Sequence, residues 1–395
     1  MNSRLRLPVR IVAALVLITL LAFSTGMSIP FISFTLRIYG APLLDLYWHG
    51  LTSSPHPLLS FINPEKEVIT LVAVGDVMLS RHVGEIISSK GPFYPFSQTA
   101  YLTRWADIAF CNLENAFSTQ GTPIPGKMIW FRANPDTAIG LTFAGFDVVS
   151  LANNHSLDYD TDAFLDTLTT LENEGIKYVG GGRDIDEARK PVIIERKGIK
   201  VGFLAYSELA HIFWDWGYPR AFVAKSGIPG VAPMEIDIME EDIKKLRESV
   251  DIVVVSLHWG EEYEEQPSEK ERELAHRLID CGAQIILGHH PHVLRGLEVY
   301  KDGVIAYSMG NFVFDQRNQK TKKSMLLQFE LTSEGLHRVI VYPILIENSR
   351  PSIPDVHVGE EILSKLYILS EELSTKLQIY GKRGVIYPSA QQQEP

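Results

Sequence analysis

The sequence predicts an α/β protein of layered, mixed sheets. From Val68 onward, short runs of β-favouring residues alternate with stretches of helical spacing, as parallel strands joined by crossover helices require. Hairpin signals around Arg196-Lys197-Gly198 and at Asp302-Gly303 add antiparallel strands. Apolar runs repeatedly end in a polar cluster. In such folds, sites collect at the carboxyl ends of the strands.

The elements follow in order. Arg4, Arg6 and Arg10 precede an uncharged run from residue 11 to 36. Residues 11–29 as a helix would span about 28 Å, close to the ~30 Å hydrocarbon core. Pro30 ends it. The basic flank places the amino terminus in the cytoplasm and the main domain outside, as a single-pass protein of the cell membrane. A cleaved signal peptide is the rival, but the run is long and has no Ala-x-Ala site. Residues 1–36 are thus read as cytoplasmic tip and transmembrane helix, and the proline-bearing residues 37–67 as a linker.

Strands are expected at 68–76, 107–115, 147–155, 191–206 (a hairpin), 251–260, 283–290, 297–311 (a hairpin), 324–331 and 337–346. Helices are expected at 161–175, with Gly175 as C-cap, at 239–250, and at 268–282 behind an N-cap at Ser268. Residues 68–348 form the main domain in this reading. Residues 349–395 are a last helix (360–377) and a frayed tail.

The length, 395 residues, supports a large core, and the net charge of −11 argues against non-specific nucleic-acid binding. Cys111 and Cys281 make no disulfide framework and read as core thiols.

The strand ends carry Asp76, Glu114, Asn154, His155, His258, and then three histidines within four residues, His289, His290 and His292. One sheet edge gathers such tips without sequence proximity. Carboxylate, amide and imidazole together suit one or two divalent ions of manganese, zinc or iron. Missing sulfur ligands argue against a structural zinc site. Such a centre would activate water for attack on phosphorus or carbon. Each residue alone has a plainer reading: Asp76 as a helix N-cap, Asn153 and Asn154 in a turn, His258 in the core.

The motifs GDVMLSR, NLENAFS, FRANP, SLANNHSLDY, SLHWGEEYEEQP and LGHHPHVLRGLEVYKDGVIAYSMGNFVFDQ, in this order over residues 68–348, resemble the bacterial capsule synthesis protein CapA family, also described as poly-γ-glutamate biosynthesis proteins. That family is similar to calcineurin-like metallophosphoesterases. The resemblance implies a four-layer α/β/β/α sandwich and membrane attachment. It also implies work beside a membrane-bound polymer synthase or export subunits, on an anionic polymer such as poly-γ-glutamate. Carried over residue by residue, it implies metal ligands at Asp76, Glu114 (or Asn112) as the bridging group, Asn154, His258, His290 and His292. His289 replaces His290 if the alignment shifts by one. His155 is the implied proton donor or charge stabiliser. One departure is Met78, where those enzymes place a histidine, and glutamate for the bridging aspartate is another. A hydrolase or transferase is therefore expected, with a non-catalytic accessory subunit that binds the polymer or the synthase as the alternative.

Arg81 and Arg132 are candidate anion ligands for the substrate, and Arg295 is a weaker one. Asn311 and Asp315 are candidates to orient the site, or turn residues. Glu261 and Glu262 read as a solvated loop, or as acceptors for a ligand imidazole. The aromatic loop 211–219 reads as a packed loop, or as a lid or polymer-stacking surface.

Overall fold

The computed structural model describes residues 67–388 except Pro219. The predicted anchor at 11–29 lies outside them. Among the described residues, no helix is long and apolar enough to cross a membrane.

Chain order begins β1 (Ile69–Val77), α1 (Arg81–Lys90), β2 (Ile108–Leu113), β3 (Val148–Ser150), α2 (Asp160–Asn173), β4 (Lys177–Val179). It continues β5 (Val192–Arg196), β6 (Ile199–Ser207), α3 (Ile236–Arg247), β7 (Ile252–His258), α4 (Glu269–Asp280), β8 (Ile285–His289). Then come β9 (Leu297–Tyr300), β10 (Gly303–Ala306), β11 (Asn311–Val313), β12 (Lys323–Thr332), β13 (Gly335–Glu347), β14 (Arg350–Ser352). The last elements are α5 (Val356–Glu371), β15 (Gln378–Tyr380) and β16 (Arg383–Ile386). Shorter turns and ribbons join them.

Two sheets result. The larger runs β15-β16-β13-β12-β1-β2-β3-β4, with β11 also on β1 and β14 on β13; the smaller runs β9-β10-β8-β7-β6-β5. In the larger sheet, β1 to β4 are parallel; in the smaller, β6, β7, β8 and β10 are. Period-2 alternation explains the layers. Leu71 and Ala73 of β1 meet Val201, Phe203 and Ala205 of β6 in one apolar layer between the sheets. Val72 and Val74 face outward onto Val83 and Ile87 of α1 and Phe164 and Leu168 of α2. On the far side, Leu204, Val253 and Val255 pack on Met239 and Ile243 of α3 and Leu278 of α4. The layers therefore run helices, sheet, sheet, helices.

Local chemistry sets the ends. Lys197 (φ 50°) and Gly198 (φ 76°) turn the first hairpin as expected. Ser268 and Glu271 form a reciprocal capping box at the start of α4. Gly175 sits at φ 72° just past α2.

Four expectations are corrected. The second hairpin turns at Lys301-Asp302, with Lys301 at φ 51°, so Gly303 already begins β10. The strand expected at 147–155 is only β3, because the Asn-Asn-His segment must turn out of the sheet to carry the site. The final helix spans 356–371, four residues earlier at its start, because Asp355 caps it through the Val358 N–H. Beyond it, β15 and β16 extend the larger sheet through β13, so the chain after residue 348 belongs to the same compact unit. The cysteines are unpaired as expected, although Cys281 is only half-buried.

Phe203 stacks on Phe110 across the sheets, with centroids 5.8 Å apart, and both are fully buried. Phe203→Ala should lower stability by about 3–5 kcal/mol, read from urea denaturation of the purified chain.

Candidate metal centre

At its carboxyl end β1 parts from β12 and takes β11 instead. That switch sets Asp76 between two amides, Asn112 in register on β2 and Asn311 on β11. The approach needs glycine at position 75, since a Cβ there would stand 1.9 Å from the Gly310 carbonyl oxygen. In the other sheet, β7 and β8 end in register at His258 and His289. His289 continues the Ile285–Leu287 face and so points between the sheets. His290 and His292 then leave the strand at φ 95° and 58°, the left-handed region that costs a side-chain-bearing residue energy.

Asp76 is the hub. Its Oδ1 accepts from Asn112 Nδ2 at 2.9 Å and lies 3.0 Å from His289 Nδ1. Its Oδ2 lies 3.3 Å from His292 Nδ1 and accepts the His290 N–H at 3.4 Å. Asn112 Nδ2 also reaches Glu114 Oε2 at 3.4 Å. Glu114 Oε1 stands 3.7 Å from His292 Nε2 and 3.9 Å from His155 Nε2. His258 Nε2 is 3.0 Å from Asn154 Oδ1. Asn311 Oδ1 is 2.9 Å from His292 Nδ1, and its amide donates to Thr321 O. All these side chains are buried.

The donors fall into two sets. Asp76, Glu114 and His258 each offer an atom within 4.8 Å of the others, as do Glu262, His290 and His292. Glu114 Oε1, His289 Nε2 and His290 Nδ1 are buried with no hydrogen-bond partner. Native interiors seldom leave such atoms orphaned. Oxygen and imidazole donors in this mixture fit a divalent ion, and its charge would satisfy the carboxylate. His290, not His289, shares a set with His292. His289 is held behind Asp76, against the ring of Phe110.

Electrostatics follow the burial. Desolvation alone would raise Asp76, but hydrogen bonds from His289 and His292 hold it well below the usual carboxylate range. Glu114 goes the other way, raised by burial and by the Asp76 charge. Burial keeps His258 neutral and lowers His290 to about 3. Burial would lower His292 too, but Glu114 and Asp76 override it and push it up to about 9.

His155 is clamped from three sides. Its Nδ1 is 2.6 Å from Asp158 Oδ2, the ring of Phe131 stacks on it at 3.8 Å, and Lys127 Nζ approaches Nδ1 at 3.2 Å. Lys127 also pairs with Asp158 and donates to Asn154 O. Burial raises Asp158 to about 7 and lowers Lys127 and His155.

The arginines divide. Arg81 pairs with Asp315 and lies 4.8 Å from the Phe131 ring, beside His155's stacking partner. Arg132 instead donates to Gln120 O and Gly121 O and covers the Tyr159 ring, so it is a turn-holding residue outside the cluster. Arg295 is fully buried, and its guanidinium binds Glu264 O, Glu261 O and the Glu271 carboxylate. It is a staple for that loop and offers no site to an anion. In the aromatic loop, Trp214 packs over Lys127, whereas Trp216 is 87% exposed.

Sequence reasoning passed over Lys127, Phe131 and Asp158. Asp158, three residues past His155 with a carboxylate, carried a usable signal. Lys127 carried none, since a single lysine in a polar loop resembles any other. Met78 sits in the outer core with its sulfur facing Ser80, so β1 gives the centre only Asp76.

Fold and site together define a class: a mixed α/β protein of two facing sheets, with a buried oxygen–imidazole cluster between them. Residues 70–316 match the family described as bacterial capsule synthesis protein PGA_cap. The chain is 32% identical over 328 residues to "Capsule biosynthesis protein CapA" of Bacillus anthracis, covering 81% of this chain and 77% of that one. It is 34% identical over 288 residues to "PGA biosynthesis protein CapA" of Bacillus subtilis (strain 168), covering 72% and 74%. Its fold is also similar to the crystal structure of 5'-nucleotidase from Candida albicans SC5314, with a TM-score of 0.40 and 13% identity over 78% of this chain and 59% of that one. The chain belongs to the PGA_cap family of bacterial capsule synthesis proteins.

His292 gives a pH signature in the ion-free chain. Its pKa rises from an ordinary 6.5 to about 9 on folding. A raised pKa stabilises fully below 6.5, and that contribution is lost as pH climbs through about 9. The unfolding midpoint of chelator-treated protein should therefore fall between these values. His292→Gln should flatten the fall; an unchanged slope would assign the proton elsewhere.

Proposed function

We propose that this chain is a membrane-anchored, metal-dependent hydrolase or transferase of capsule production, acting on an anionic polymer such as poly-γ-glutamate or on its linkage. One observation carries the reading: polar tips from strands of two sheets converge in one buried cluster that keeps unsatisfied atoms. Asp76, Glu114, Asn154, His258, His290 and His292 would hold the ion or ions. A bound divalent ion would supply Lewis-acid polarisation and a more acidic water.

The chain's own groups do the rest. Asp158 and Phe131 fix the His155 ring, leaving Nε2 facing the Glu114 side of the centre. From there His155 donates a proton to the leaving group or stabilises its charge. Arg81, beside the same stack and part-exposed, binds an anionic group of the polymer. Relatives named for capsule and PGA biosynthesis support polymer as substrate, and partnership with a membrane-bound synthase or export subunits. The basic flank and uncharged run at 11–36 support a single-pass anchor with the domain outside the cell membrane.

The metal content of the purified chain tests the centre. Wild type should carry one or two divalent ions, and His258→Ala and His292→Ala should each lose most of them. Full retention in both variants ends the metal reading.

A second reading, a non-catalytic accessory that binds polymer or synthase, is favoured by Met78, just past β1, whose side chain turns away from the centre into the outer core. Complementation of polymer production separates the two. The Asp76→Asn/His258→Gln double variant should abolish polymer while remaining folded and membrane-bound; normal yield would select the accessory role.

A further inference from the structure

We propose that Glu262 is a direct metal ligand, forming with His290 and His292 a second cation position beside that of Asp76, Glu114 and His258. The proposal rests on the metal reading above and assigns a role to a loop carboxylate that the strand-end pattern leaves out.

Three observations carry it. A carboxylate oxygen of Glu262 lies within 4.8 Å of a ring nitrogen on each of His290 and His292, and those ring nitrogens lie equally close together. His290 is 6% exposed, yet its Nδ1 has no hydrogen-bond partner, so this set contains a buried donor atom without a use. Glu262 is also delivered by a loop that is tied on both sides. The Tyr263 N–H donates to Pro291 O at 2.9 Å, joining the loop to the residue between the two histidines. Buried Arg295 donates to Glu261 O at 3.2 Å and to Glu264 O at 2.7 Å. Gly260 at φ 78° and Tyr263 at φ 68° set the bends of the segment. A surface loop with no task does not need a fully buried guanidinium beneath it. Ligand positions do need such support, because a donor must stand where the ion is before the ion arrives.

The geometry also explains how β1 supplies only one ligand. Met78 turns into the outer core, and Glu262 reaches the centre from the opposite sheet, past the end of β7. Glu262 is the exposed member of its set, so the second position is the one open to solvent and to an arriving anionic group.

The test uses the purified full-length chain, with manganese(II) and cobalt(II) as probes. Ion number and affinity are measured for wild type, Glu262→Gln, Glu262→Asp and, as a neighbouring control, Glu261→Gln. Far-ultraviolet circular dichroism checks that each variant is folded. The expected result is a loss of at least about tenfold in affinity at one position in Glu262→Gln, in the range that weakened ligation produces. Its cobalt absorption should shift, Glu262→Asp should recover part of the loss, and Glu261→Gln should match wild type. Wild-type affinity and an unaltered cobalt spectrum in Glu262→Gln would overturn the proposal while leaving the metal centre standing. Wild type that binds neither ion would overturn the metal reading itself, and this assignment with it.

Discussion

The structure depends on one buried carboxylate. Asp76 is fully enclosed, and an ionised group in that position is expensive unless donors surround it. Here they come from every side: an amide from the neighbouring strand, imidazoles from the facing sheet, and a backbone N–H from the segment after β8. Meeting that demand fixes the relation of the two sheets. β1 must exchange β12 for β11, position 75 must be glycine, and His290 and His292 must accept left-handed backbone. Local strain at these points is offset by the apolar layer between the sheets, which holds both carboxyl edges at one level.

Around this hub the molecule separates holding from positioning. Strand tips hold. Loops position: Lys127 and Asp158 lock His155, and Arg295 ties down the loop of Glu262, while Asn311 of β11 orients His292. A glutamate that favours its proton stands beside a histidine that also keeps its own. Their proximity to Asp76 makes the ion-free centre a set of groups competing for a few protons, the condition a divalent ion relieves. The family membership gives this centre a setting, capsule synthesis.

Much of this was legible beforehand. The alternation of strands and helices, the first hairpin and the cap at Ser268 are local, written in side-chain period and turn chemistry. The gathering of Asp76, Glu114, Asn154, His258, His290 and His292 into one buried cluster was legible because strand-end polar residues stand out against apolar runs. For Arg132 and Arg295, candidate anion ligands by sequence, the structure shows backbone carbonyls as partners; an arginine near a motif looks the same whether it binds a ligand or a backbone carbonyl. The final hairpin was missed because Gln378–Tyr380 and Arg383–Ile386 are too short to show a period; they become strands only because β13 offers an edge.

The sequence by itself determined most of the secondary elements and the inventory of polar strand ends, because both follow from neighbours along the chain. Only the tertiary structure decided which donors share a set, that His290 and not His289 joins His292, that Met78 turns away, and that Glu262 turns toward the centre. Those choices depend on the register between strands, on backbone torsion past a strand end, and on a buried guanidinium 34 residues from the loop it holds. None of these quantities is encoded in any short window of residues.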